Sequence, residues 1–201
     1  PLIRINDMKK IILTVFAATS LLLYSTPSFA IVSVSVGVPM SQTITGKYDG
    51  ATFGNAADKT SGYLLGVSFA SIGFGIDSYT TKFKTGDCEG CWDADNDIGL
   101  KTNMTNIFYQ LPVPVVNLII GLGVGTTEYD CKTEDGKGCS AYYDKGSATQ
   151  WYTSIGIPLI PFFDIHLSYR SITAKNIKSK SNGSKDDNSG SVTGLGLAFN
   201  F

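Results

Sequence analysis

Large apolar residues along this chain keep step with a period of two. Ile31 to Met40 places Val32, Val34, Val36 and Val38 on one face, with Ser33, Ser35 and Gly37 on the other. Gly62 to Ser71 sets Tyr63, Leu65, Val67 and Phe69 against Leu64, Gly66, Ser68 and Ala70, and Ile72 to Thr81 sets Ile72, Phe74 and Ile76 against Gly73, Gly75 and Asp77. Asn117 to Tyr129 opposes Leu118, Ile120, Leu122 and Val124 to Gly121, Gly123 and Gly125. Thr149 to Ile157 and Phe163 to Arg170 repeat the pattern; in the latter Phe163, Ile165, Leu167 and Tyr169 oppose Asp164, His166, Ser168 and Arg170. Successive side chains of a strand point to opposite faces, so each run predicts a strand between one greasy and one small or polar environment. Gly99 to Tyr109 is the poorest, because neither parity stays apolar through Asn103, Thr105 and Asn106; spacing alone predicts a strand there, with a bulge. Thr193 to Phe201 completes eight, with Leu195, Leu197, Phe199 and Phe201 on one face.

The connections alternate as well. Polar segments at 41–61, 84–98, 130–148 and 172–191 are separated by short links at Ser71-Ile72, Leu111 to Val116 and Pro158 to Phe162. Short turns on one side and long loops on the other are the layout of an antiparallel up-and-down barrel in a membrane. Lipid cannot hydrogen-bond a sheet edge, so the last strand is expected to pair with Ile31 to Val38 and close the sheet. Tyr63, Tyr79, Tyr129, Trp151 and Tyr169 then fall near the long-loop ends, and Phe69, Phe74, Phe108, Phe162, Phe199 and Phe201 near the short-turn ends, as two aromatic girdles. The fold class expected is all-β: a closed antiparallel transmembrane β-barrel of eight strands with short periplasmic turns and long extracellular loops.

Composition narrows the reading. The chain has 201 residues, 16 basic against 17 acidic, and 22 glycines, which suits one domain and offers no basic face for nucleic acid. No run of ~18 apolar residues follows the first thirty, so membrane-spanning helices are not expected there. Met8-Lys9-Lys10, the apolar stretch Ile11 to Leu23 and the small residues of Ser28-Phe29-Ala30 predict a secretory signal peptide over 8–30. Residues 1–7 read as upstream sequence, and 31–201 as the barrel.

An eight-stranded barrel is only wide enough inside to be filled by side chains. The inward parity carries Asp77, Tyr79, Lys101, Tyr152, Asp164, His166 and Arg170, and the acidic and basic members are expected to pair across the lumen. Cys88, Cys91, Cys131 and Cys139 fall in two expected external loops. Behind a signal peptide they favour disulfides, most simply Cys88–Cys91 and Cys131–Cys139, although four cysteines allow three connectivities. Asp93-Ala-Asp-Asn-Asp97 resembles the start of a calcium loop, but the glycine is displaced to Gly99 and Met104 occupies the glutamate position. A solvated acidic loop is the better reading. No metal and no cofactor are expected.

His166-Leu-Ser168 places an imidazole and a hydroxyl on one strand face. It resembles the His-x-Ser pair of the lipid A deacylases, small outer-membrane barrels that carry it on the penultimate strand. Tyr169-Arg170 replaces the asparagine expected next, no glutamate follows, and the parity sends both residues inward. The ending Leu195, Leu197, Phe199 and Phe201 resembles the terminal strand that outer-membrane barrels present to their assembly machinery. Taken whole, residues 31–201 resemble the group of eight-stranded barrels around the OmpA transmembrane domain, OmpX/Ail and OmpW. That resemblance implies residence in a bacterial outer membrane, lipid and lipopolysaccharide as neighbours, contact with the assembly machinery and a monomer. A non-enzymatic structural or surface-interaction role carried by the extracellular loops is expected first. A narrow pore for small or hydrophobic solutes comes second, and a lipid A-modifying hydrolase using His166 and Ser168 third.

Overall fold

The computed structural model of the protein describes residues 31–45, 47–48, 51–52, 59–83, 98–111, 113, 116–131, 138–160 and 162–201. The expected signal peptide, Cys88, Cys91 and the acidic run Asp93 to Asp97 lie outside the described residues.

Eight long strands follow one another: β1 (Val32–Ile44), β2 (Lys59–Phe69), β3 (Ile72–Phe83), β4 (Ile98–Leu111), β5 (Asn117–Asp130), β6 (Gly146–Ile160), β7 (Phe163–Lys178) and β8 (Gly190–Asn200). Each pairs antiparallel with the next, and β8 also pairs with β1 from Ser33 opposite Asn200 to Ile44 opposite Gly190. The sheet is therefore closed. Phe201 completes the seam by exchanging backbone hydrogen bonds with Val32. The strands are tilted, as closure demands. Starting from Asp77, register partners through Met104, Gly125 and Ala148 reach β7 at Ala174, while partners through Leu64, Gly37 and Gly196 reach it at His166. One bulge falls in β1 between Pro39 and Ser41, which leaves both Met40 and Ser41 outside; a second lies in β6 between Pro158 and Ile160.

β4 corrects the sequence reading. It runs from Ile98 to Leu111 in unbroken register with both neighbours and has no bulge. Its inward side holds Leu100, Thr102, Met104, Asn106 and Phe108, and its outward side Lys101, Asn103, Thr105, Ile107 and Tyr109. The reason is a change of surroundings along the strand. In the half next to the short turns the outward face is apolar: Val34, Val67, Phe74, Ile107, Leu122, Ile155, Leu167 and Leu197 are all exposed. Towards the long loops the outward positions turn polar (Thr43, Lys82, Lys101, Thr149, Thr173). There the interior becomes apolar, with Leu64, Tyr79, Met104, Ile172 and Val192 in one cluster and Ile44, Leu100 and Ile177 in another. One end of the barrel has the pattern required in lipid, and the other has the pattern of a barrel in water.

Three residues expected in the girdles lie inside, Tyr129 and Tyr79 (the latter also expected on the inward parity) in the inverted half and Phe108 below it. Tyr79 and Phe108 are buried inside, and Tyr129 packs inward on the Ile44–Leu100–Ile177 cluster. The outward aromatics on the long-loop side of the apolar band are Tyr63, Trp151 and Tyr169, the last two with ring centroids 5.9 Å apart.

Candidate functional site

The lumen is filled in layers. At the short-turn end Asp164 accepts hydrogen bonds from the side-chain amides of Asn117 and, at 2.7 Å, Asn200. His166, on the same face of β7, lies beside it; its Nε2 is 3.8 Å from Asp164 Oδ2, too long for a hydrogen bond, and its Nδ1 is 3.2 Å from Ser154 Oγ. Phe108, Ile119 and Tyr152 form the next layer, with the Phe108 and Tyr152 rings edge to face at 6.5 Å. Glycines on the inward parity make that packing possible. A Cβ at Gly73 would strike the Phe108 ring, one at Gly121 the Tyr152 ring and one at Gly156 the His166 ring.

Above this layer Arg170 crosses the lumen to Asp77. Its Nε donates to Asp77 Oδ2 at 3.0 Å and its Nη1 to Ser168 Oγ at 2.5 Å, while the guanidinium carbon stands 4.8 Å from the centroid of the Tyr152 ring. Gln150 Nε2 donates to the same carboxylate at 2.7 Å and to Asn106 Oδ1 at 2.6 Å. Both ions are almost wholly buried, so the amides and hydroxyls around them replace the water they lose. The apolar cluster around Tyr79 and Met104 covers this layer. At the top Tyr129 donates to Asp186 at 3.1 Å and accepts from Asn188 at 3.1 Å.

Four of the five residues expected in a luminal polar network, Asp77, Asp164, His166 and Arg170, are buried in two separate layers. Lys101 is not among them: it lies exposed on the outward side of β4, directly opposite Glu128 in register. Sequence reasoning passed over the neutral partners Asn106, Asn117, Gln150, Ser154 and Asn200. For Asn117, Gln150, Ser154 and Asn200 the signal was present, since each is a polar residue on the inward parity of its strand; Asn106 lies on β4, where no parity could be counted.

At the long-loop end Cys131 and Cys139 are joined by a disulfide, with their Cα atoms 5.3 Å apart. The chain beyond it runs against the end of β7. Tyr143 bridges to Ser179, the Asp144 amide donates to the Lys178 carbonyl, and the Lys180 amide donates to the Tyr142 carbonyl. Lys180 Nζ reaches the Ser140 carbonyl at 2.7 Å and Asp144 Oδ1 at 3.6 Å. Two of the connections on this side thus form one structure.

No protein-family model matches the sequence, and no curated protein is recognisably similar to it. Solved structures are similar. Neisserial surface protein A (NspA) superposes with a TM-score of 0.58 at 12% sequence identity, over 85% of this chain and 97% of that one. The outer membrane protein OprG from Pseudomonas aeruginosa superposes with a TM-score of 0.50 at 14% identity, over 87% and 98%. The attachment invasion locus protein Ail of Yersinia pestis gives 0.49 at 17% identity, over 86% and 99%. The fold is that of the small eight-stranded outer-membrane barrels.

Within an outer-membrane barrel, Leu195, Leu197, Phe199 and Phe201 take the outward positions of the closing strand, all exposed to the surroundings of the apolar band. The pair considered for hydrolysis takes a different place. Ser168 donates to the Gly194 carbonyl at 3.2 Å and receives Arg170, whereas His166 turns to Ser154. No hydrogen bond joins His166 to Ser168, and both face the lumen rather than lipid. Met104 is buried inside the barrel, which removes it from the edge of any cation site in the acidic loop. Among the described residues no cluster of histidine, cysteine, aspartate or glutamate could hold a metal ion.

Proposed function

We propose that the protein is an integral barrel of the bacterial outer membrane whose work is done at its extracellular end, in a structural or surface-interaction role. The short-turn end then faces the periplasm. The observation that carries this reading is the filled lumen. An aromatic layer, the Arg170–Asp77 layer and the Tyr79–Met104 cluster succeed one another along the axis and leave the interior to side chains rather than to a solute. Strands that continue beyond the apolar band, together with a connection that is closed by a cystine and bridged at Tyr143 to the end of β7, supply an outer platform instead. Lipid and lipopolysaccharide are the expected neighbours of the apolar band, and the assembly machinery is the expected reader of the strand ending at Phe201.

Two measurements test this together. Unboiled gels of outer-membrane fractions should show a band that shifts on boiling, and protease applied to intact cells should cut only in the long loops. The purified barrel in planar bilayers should show no steady conductance. A reproducible open channel in the unmodified protein would move the function to the lumen. A soluble periplasmic product would end the membrane reading.

A further inference from the structure

Charged side chains are distributed one-sidedly. Segments 31–46, 60–76, 102–127, 146–163 and 188–201, which take in the turns, most of the periplasmic half of the barrel and several upper strand ends, contain no Asp, Glu, Lys or Arg. The charges of that half are luminal, on Asp77, Asp164 and Arg170. The turns themselves are apolar where soluble turns carry Asn, Asp or Gly: Ala70-Ser71, Pro112-Val-Pro-Val-Val116, and Pro158-Leu-Ile-Pro-Phe162. Phe162 is 69% exposed, Ile160 64% and Leu159 57%, and Phe69 at the end of β2 is 66% exposed; Val113 is 36% exposed, and Ser71 and Val116 are half-buried. The turns continue the outward apolar band without a charged break.

The height of the band points the same way. From Tyr63 to Phe69, or from Phe163 to Tyr169, the outward apolar run covers ~20 Å of strand and ~15 Å along the membrane normal at a ~40° tilt. An outer-membrane barrel shows an apolar band ~25 Å tall. β1 alone approaches that height, at ~21 Å from Val32 to Met40; on the other strands the apolar surface does so only by including the turns. Aromatic chemistry agrees, since Tyr and Trp favour the membrane–water boundary, where ring and polar tip are both satisfied. Tyr63, Trp151 and Tyr169 mark such a boundary on the extracellular side. The described outward aromatics at the other end are Phe69, Phe74, Phe162, Phe163, Phe199 and Phe201, with Tyr109 the one exception.

We infer that the periplasmic turns are a lipid-contacting surface. The barrel is sunk towards the periplasm until its turns lie in the inner leaflet, and its upper strands stand in water above the outer leaflet. The occupant of the turn surface is phospholipid acyl chain and glycerol backbone, not a periplasmic protein and not a second copy. This inference rests on the outer-membrane reading, and Trp151, at the extracellular edge of the band in either case, serves as the reference that separates the two.

The test is fluorescence quenching in phosphatidylcholine vesicles, with brominated acyl chains or with iodide on both sides of the bilayer. Three single-tryptophan proteins are compared: Trp92→Phe alone, and Trp92→Phe/Trp151→Phe combined with Phe162→Trp or with Ile160→Trp. A heat-shifted gel band certifies folding of each, and the two turn positions guard against loss of one. The expected result is blue-shifted emission at 162 and 160, bromolipid quenching equal to that of Trp151, and iodide quenching no greater than that of Trp151. Iodide quenching at the level of free tryptophan, with Trp151 still quenched by bromolipid, overturns the inference. Shielding from both quenchers overturns it in favour of contact between copies. A Trp151 that escapes bromolipid brings down the membrane reading, and this one with it.

Discussion

Asp77 and Arg170 lie 93 residues apart in sequence and meet 3.0 Å apart inside the barrel, so each depends on the other to be buried at all. Removing one partner strands a charge in a poorly solvated interior, which costs ~3–5 kcal/mol, whereas replacing both by apolar groups of similar size is often close to neutral. Arg170→Met should therefore lower unfolding stability in urea titrations of the vesicle-bound barrel by several kcal/mol, and Asp77→Leu/Arg170→Met should restore most of it. A double variant as weak as the single one would mean that Arg170 acts through Ser168 or the Tyr152 ring instead. Gly121 makes a second residue-scale case. A methyl there overlaps the Tyr152 ring, and overpacking of this kind costs ~1–3 kcal/mol. Gly121→Ala should show that loss, and Gly121→Ala/Tyr152→Phe should not recover it, because the clash is with the ring rather than with the hydroxyl alone. The charged members of the lumen were legible wherever alternation was clean, as at Asp164 to Arg170. Lys101 was misplaced because β4 offers no apolar parity from which to count.

At the scale of elements, the β2–β3 hairpin turns through Ala70 and Ser71, both in the left-handed region with φ of 46° and 77°. Two positive φ values make this the tight hairpin geometry that favours Asn-Gly, and an L side chain held there costs ~1–2 kcal/mol. Ala70→Asn/Ser71→Gly should raise the unfolding free energy from urea titrations by a matching ~1–2 kcal/mol without altering the heat-shifted gel band. The Cys131–Cys139 loop makes the opposite kind of prediction. Its short span limits the chain-entropy gain to ~2–3 kcal/mol, and that gain acts on the loop rather than on the seam. Cys131→Ser/Cys139→Ser should quicken proteolytic cutting near residue 131 and leave the barrel resistant. Seven strands could be read from period two because water-free surroundings outside and small or polar residues inside hold steady over much of their length. Their upper ends could not. Thr173, Ala174 and Lys175 were assigned to a loop, yet β7 continues to Lys178, since above the bilayer the apolar parity moves indoors to Ile172 and Ile177 and the alternation changes sign.

Over the whole molecule, the two halves of that pattern divide labour between solvents. The lower barrel is held by lipid outside and by a hydrogen-bonded interior, the upper barrel by an ordinary apolar core. Loss of detergent or lipid should therefore unravel the lower half first. Hydrogen exchange on delipidation should rise at Ile120 and Leu167 before it rises at Leu100 and Ile172; simultaneous loss would mean one cooperative unit. The seam imposes a further constraint. Ser33 pairs with Asn200, so the first strand waits for the last one before its outer edge is satisfied. Contacts so distant along the chain form slowly and leave an unpaired edge exposed in the meantime. A chain that emerges N-terminus first holds one edge of β1 open while the other strands form, and its folding becomes a race between closure and edge-to-edge aggregation, decided only when β8 docks.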